Sequence, residues 1–264
     1  LQLLGAELGF GSTSTGTITY CGKKIEQAED FSVKVSMEEY HSNLQQVRIN
    51  PLRKKNPEAT LMPGEQRQLR ALLGSLQWLV AQVRFDLQFQ LSTLQGASQT
   101  IETLIRANAL VRKAKLHADF ALHFKPLDMK NAGILVVSDA SLGNVTKSGS
   151  SHEAAIKKVY SQAAYFVLIA DESLMSGREG KFTVLDARSH RLNRVCRSTF
   201  AAELLGIEEA LDAGQYCRGV LGEAFGHPLD RKPFDLSTDS VPLLVVTDAK
   251  DAFDKSCSET PSYG

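Results

Sequence analysis

Three acidic residues stand where a sheet could gather them. Asp139 follows the apolar run Ile134-Leu135-Val136-Val137 and Ser138, and Asp248 follows Leu243-Leu244-Val245-Val246 and Thr247. Glu203 falls on the first turns of a helical stretch between the two. Open α/β sheets place ligand sites at the carboxyl ends of their strands, so this order could bring all three carboxylates to one end of a sheet. Carboxylates gathered with few cations among them repel one another unless a divalent metal ion sits between them. Oxygen ligands of this kind suit magnesium or manganese. Two such ions about 3.5 to 4 Å apart activate a water and stabilise the leaving oxygen in phosphodiester cleavage, without a covalent protein intermediate. An aspartate after an apolar strand also serves as a turn residue or helix cap, and spacing alone leaves both readings open.

A nucleic-acid substrate would need cations, and the 264-residue chain balances 30 Lys and Arg against 30 Asp and Glu. Any such partner must be met by local patches. The candidates are Lys157 and Lys158, His190 and Arg191 with nearby Arg194 and Arg197, and the run Arg53-Lys54-Lys55. Each reads either as phosphate contact or as solvated surface. No Gly-x-x-x-x-Gly-Lys-Ser/Thr loop occurs, which sets aside a P-loop phosphotransferase. Cys21, Cys196, Cys217 and Cys257 form no Cys-x-x-Cys pair, so neither zinc nor a disulfide framework is expected and a reducing intracellular compartment fits. No apolar run reaches the roughly 18 to 20 residues that span a bilayer, and no leader-like segment opens the chain. Leu1 begins in apolar strand-like sequence and the last residues are turn-rich, which suggests that both ends are cut from a longer chain.

The elements that must position these groups can be read from periodicity. Hydrophobic residues make up 43% of the chain, enough for one large or two ordinary cores. Gly16 to Tyr20, the approach to Ile25, and Phe31 to Val35 alternate as strands do. Ser36, with Glu39 three residues on, predicts the cap of a short helix reaching about Leu44. Residues 48–63 hold three prolines and read as a loop. Pro63-Gly64-Glu65 opens a long helix with Leu69, Leu72, Leu73, Leu76, Leu79, Val80 and Val83 at spacings of three and four; Trp78 and Leu79 read as core. A second helix over Ile101 to His117 should pair with it as an antiparallel hairpin. Arg84 and Asp86, between these helices, read as a cap or structural pair.

From Ala132 the pattern alternates strand and helix. Runs ending at Asp139, spanning Tyr165 to Ile169, and spanning Phe182 to Leu185 predict three consecutive strands. Ser198 predicts the cap of a helix that breaks near Gly214 and resumes to Val220, and Leu243 to Val246 reads as a buried strand. The fold class is therefore mixed α/β.

Several blocks together resemble copia-type (Pseudoviridae) retrotransposon polyproteins. Leu73-Gly74-Ser75-Leu76-Gln77-Trp78-Leu79 followed by Arg84-Phe85-Asp86-Leu87 is similar to that family's Gly-Ser-Leu-x-aromatic-Leu…Arg-Pro-Asp-Ile/Leu signature, with Phe85 in place of proline. Leu3-Leu4-Gly5 looks like the primer-holding strand that follows the polymerase active site. Residues 107–112 occupy the place of the helix that precedes the ribonuclease H domain. Ser138-Asp139-Ala140-Ser141, Arg197 to Glu203, and Thr247-Asp248-Ala249-Lys250-Asp251-Ala252 resemble three catalytic blocks of that domain. Ala249 and Asp251 replace the commoner Asn and Ser. Lys157-Lys158 sits where the family carries a basic lead into its second strand.

The resemblance covers nearly the whole chain and implies its layout. Residues 1–62 would be the end of a reverse transcriptase, with primer-grip-like strands and a linker. Residues 63–125 would be a helical connection, and residues 126–264 a ribonuclease H-like α/β domain with a mixed sheet. It implies Asp139, Glu203 and Asp248 as catalytic metal ligands for magnesium or manganese. Lys157, Lys158, His190, Arg191, Arg194 and Arg197 would contact nucleic acid. The implied substrate is the RNA strand of an RNA–DNA hybrid, read by backbone shape and not by base sequence. The rest of the polyprotein, including the polymerase active site that would precede Leu1, is the implied protein partner. The family's Leu-Ala-Asp block, which carries a fourth metal-binding acid, would lie beyond Gly264, and full nuclease activity is expected to need it. The alternative is an inactive nucleic-acid-binding or connection relic of such an element.

Overall fold

The computed structural model describes residues 14–147, 158–224 and 241–256. The Leu3-Leu4-Gly5 strand, Lys157 and Cys257 lie outside the described residues, as does the Lys158 side chain. A first antiparallel sheet has the order β1 (Thr17–Tyr20), β2 (Lys23–Gln27), β3 (Val33–Ser36) and β4 (Ala121–Phe124). Cys21 and Gly22 turn between β1 and β2 with φ of 50° and 77°, the pair of left-handed residues that a tight hairpin matching strand twist requires.

Between β3 and β4 lie α1 (Glu38–Asn43), α2 (Pro51–Lys54), α3 (Pro63–Gln82), a 3-10 turn (Phe85–Leu87), α4 (Gln88–Gly96) and α5 (Ile101–Leu116). Glu65 turns back to accept the Met62 N–H at 2.8 Å, and Pro63 loses no bond at a helix start, so α3 begins where the sequence predicts. Its residues Leu69, Leu72, Leu76, Leu79 and Val80 are buried. They share one core with Met37, Leu44, Leu61, Leu91, Ile101, Leu104 and Val111, on which Val35 of β3 and Leu122 of β4 also pack. That core runs continuously through the expected junction at 62/63.

Several local expectations change. Ser36 ends β3 instead of capping α1: the helix starts one residue after Met37, and the buried Ser36 hydroxyl has no hydrogen-bond partner. The proline-bearing stretch contains α2, because the Asn50 side chain accepts the Leu52 N–H at 2.9 Å and Pro51 suits the first turn. Its Arg53 is bound in a two-pronged pair with Glu65, at 2.7 and 2.8 Å. Trp78 is 41% exposed; it lies about 200° around the helix from buried Leu76, at 100° per residue. Instead of a simple hairpin, α3, α4 and α5 pack against one another in threes.

Arg84 and Asp86 are structural, as expected. Arg84 is 1% exposed and grips both Asp86 carboxylate oxygens at 2.8 Å. It also donates to the carbonyls of Ala114 and His117 at 3.0 and 3.2 Å, capping the C-terminus of α5, and lies over the Phe120 ring. Buried His41 places Nδ1 2.8 Å from the Met37 carbonyl and Nε2 3.3 Å from Arg84. A ring that donates from Nδ1 and accepts at Nε2 is neutral, and burial, above the other influences, holds its pKa below the usual histidine value.

The second sheet has the order β7 (Phe182–Arg191), β6 (Lys158–Ala170), β5 (Gly133–Lys147), β8 (Leu243–Thr247). β5, β6 and β7 form an antiparallel meander, and β8 adds parallel to β5. α6 (Glu172–Met175) links β6 to β7; α7 (Thr199–Ala224) lies between β7 and β8 in sequence; α8 (Lys250–Ser256) follows β8. The fold is mixed α/β, with one antiparallel and one mixed sheet. The two layers meet where Gln162 of β6 donates to Ser92 of α4 at 2.8 Å and to Ser189 of β7 at 3.1 Å.

Three expectations in this half are corrected. α7 runs unbroken through Gly214. β5 does not stop at Asp139 but continues to Lys147. β8 is not fully buried, since Leu244 and Val246 are 38% and 43% exposed. Among the described residues, no helix is long and apolar enough to cross a membrane.

Candidate metal centre

Two parallel strands bring the aspartates together. Ser138 is level with Thr247, so the next residue on each strand is an acid. On β8 the chain turns at once, because the Thr247 hydroxyl accepts the Ala249 N–H at 3.1 Å, and α8 begins at Lys250. Asp139 instead stays within the ladder, opposite Ala164 of β6. α8 is held against the start of α7, with the Lys255 ammonium 4.2 Å from the Phe200 ring centroid, which keeps the turn carrying Asp248 near Glu203.

The third acid comes from α7. Ser198 accepts the Ala201 N–H at 3.1 Å and sets where this helix begins. Glu203 then shares a stripe with Gly206, Ala210 and Gly214, all buried. The stripe lets the helix backbone approach the sheet closely. A Cβ on Gly206 would lie 3.3 Å from the Ala140 Cβ, and one on Gly214 only 2.5 Å from Val136 Cγ2. Gly214 is therefore a packing position and not a break.

Asp139, Glu203 and Asp248 each offer a carboxylate oxygen, and these oxygens lie within 4.8 Å of one another. The aspartates are exposed while Glu203 is only 7% exposed. Burial, then the neighbouring Asp139 and Asp248 charges, push the Glu203 carboxyl above its usual pKa, against the opposing pull of the Ala140 N–H. Its Oε2 has no hydrogen-bond partner. A buried anion with an unsatisfied oxygen, facing two more carboxylates, is an unfavourable arrangement that a hard divalent cation relieves. The trio can hold a metal ion, with the exposed aspartates left open to solvent.

The expected cationic residues divide. His190 contacts the Glu209 carboxylate of α7 through Nε2. Burial chiefly lowers its pKa, with Arg188 acting in the same direction and Glu209 opposing. Arg191 lies over the Tyr160 ring at 4.0 Å. Both residues thus tie β7 to its neighbours. Arg194 and Arg197 are exposed on the segment leading into α7, a few residues before Glu203. Lys158 opens β6. Glu209 and the Lys255–Phe200 contact escaped the sequence reading, because each pair joins different elements and leaves no trace in local spacing. Comparison with family models, curated proteins and solved structures gives no match.

Proposed function

We propose that the chain is a metal-dependent nuclease module of a copia-type retrotransposon polyprotein, hydrolysing the RNA strand of an RNA–DNA hybrid on the ribonuclease H plan. The observation that carries the reading is the acid trio, with one buried glutamate whose Oε2 has no partner beside two exposed aspartates. The order of elements supports it: a three-stranded meander, a helix bearing the glutamate, then a parallel strand followed at once by the last acid. When bound, magnesium or manganese supplies an activated water and neutralises the leaving oxygen. Asp139, Glu203 and Asp248 would hold it. Arg194 and Arg197 would take phosphates flanking the scissile bond, and backbone contacts of that kind set register without reading bases. Residues 63–125 would serve as the helical connection to the polymerase.

Incubation of the chain with a strand-labelled RNA–DNA hybrid and magnesium tests this. The expected result is impaired but metal-dependent cleavage of the RNA strand, lost in Asp139→Asn and on chelation. Binding of the hybrid without cleavage, by a chain shown to be folded, would favour the inactive binding relic instead.

A further inference from the structure

The first sheet and the start of β7 border a cleft of about 800 Å³. Lys34 of β3, His123 of β4, Lys125 just after β4 and Lys181 just before β7 line it. Glu26 and Asp30 line it too; Glu26 is held by lysines, whereas Asp30 is held by neutral donors and keeps its negative charge. Glu26 takes the Lys24 ammonium at 2.8 Å, with Lys34 at 4.0 Å. Asp30 accepts the Ser32 N–H at 3.0 Å and its hydroxyl at 2.6 Å. Lys125 and Lys181 are exposed, and among the described residues neither ammonium has a carboxylate oxygen within 4.0 Å. Lys181 acts electrostatically on Asp171, whose carboxylate also accepts its N–H at 2.8 Å, but Asp171 does not line the cleft. Along the lining three lysines outnumber two carboxylates, and in a chain whose charges balance that local excess suits an anion.

We propose that this cleft binds the phosphodiester backbone of a nucleic-acid duplex at a distance from the acid trio. The inference rests on the nuclease reading, which supplies the duplex. Gly133 is level with Phe182 through Ala170, and Asp139 lies six residues further along β5. At roughly 3.3 Å per residue the cleft and the trio are about 20 Å apart along the strands. A duplex covers that distance in about six base steps of ~3.4 Å, so only a longer one reaches both.

The test is fluorescence anisotropy across a salt series in an Asp139→Asn background, which leaves the hybrid intact. It compares a hairpin-capped hybrid of about six base pairs with one of about eighteen, with and without Lys125→Gln/Lys181→Gln. Losing two phosphate contacts should make the salt slope for the long hybrid shallower by about 1.8 and, with the two lines meeting near ~1 M salt, weaken its binding roughly sixtyfold at about 0.1 M, with the short hybrid unchanged. Equal slopes for the long hybrid, or equal losses for both lengths, overturn the cleft assignment and leave the nuclease reading standing. Displacement of the long hybrid by micromolar inorganic phosphate also overturns it, in favour of a free-phosphate site. If the parent protein binds neither hybrid, the nuclease reading fails and this inference fails with it.

Discussion

Replacing Glu203 with glutamine should stabilise the metal-free protein, and the size of the effect follows from the geometry. At 4.8 Å, the outer limit of the separations among the trio's oxygens, two unit charges repel by about 0.9 kcal/mol in water and about 3.5 kcal/mol at an effective dielectric of ~20. Asp139 and Asp248 are exposed, so solvent screening pulls the value towards the lower figure. Two such pairs act on Glu203, giving about 2 kcal/mol, to which its burial adds. For a chain of this size each kcal/mol moves Tm by about 2–4 °C, so Glu203→Gln should melt roughly 4–8 °C higher near pH 7.

The sign of the pH dependence is fixed by the same facts. The folded carboxyl has a pKa above the unfolded one, so the fold favours its protonated form. This contribution is fully present below the unfolded glutamate value, about 4.3, and is lost as pH rises through the raised folded value. Differential scanning fluorimetry of the metal-free chain should show that loss, and Glu203→Gln should flatten it. Magnesium should restore stability in the wild type, by about 2.7 kcal/mol at a hundredfold excess over Kd. A magnesium-induced shift of equal size in wild type, Glu203→Gln and Asp248→Asn would refute the reasoning, since the ion would then be acting elsewhere.

Two further outcomes test the frame around the trio. Gly214→Ala gains up to about 1 kcal/mol of helix propensity but must displace Val136 Cγ2 from 2.5 Å, so a net loss of about 1–2 kcal/mol in denaturant unfolding is expected, with a weaker magnesium response as α7 lifts away. Arg84→Ala leaves the Ala114 and His117 carbonyls without their donor and a gap where the buried arginine packs, while the half-exposed Asp86 turns to solvent; a loss of about 2–4 kcal/mol is expected by chemical denaturation, and a value under about 1 kcal/mol would contradict the structural role given to the pair.

What the sequence disclosed depended on whether a signal was local. Strand runs such as Ile134 to Val137 and the three-and-four spacing of Leu69 to Val80 are local, and they appear as β5 and α3. The continuation of β5 past Asp139 was hidden because residues 141–147 lack regular apolar alternation, and the ladder itself shifts register between Ser141 and Val145. α4 was missed because it buries only Leu91 and Leu94, too few for a period to show. Gly214 misled because a helical glycine signals either a break or a close approach, and only the position of Val136 decides between them.

The acid trio shows how the same limits bear on function. Each aspartate could be placed at a strand end from its own neighbours, yet their adjacency requires that β8 pair with β5 and in parallel, a long-range fact. Glu203 requires more: a helix start set by Ser198, and a small-residue stripe that lets α7 settle onto the sheet. These conditions are met together, and the cost is a buried carboxylate oxygen without a partner. A chain selected for stability alone would gain by removing that charge, since an apolar replacement of a poorly satisfied buried ion is commonly neutral or stabilising. Retaining the glutamate against two aspartates is physically reasonable when a cation completes the site, and the response of the Glu203→Gln protein to magnesium measures that relation directly.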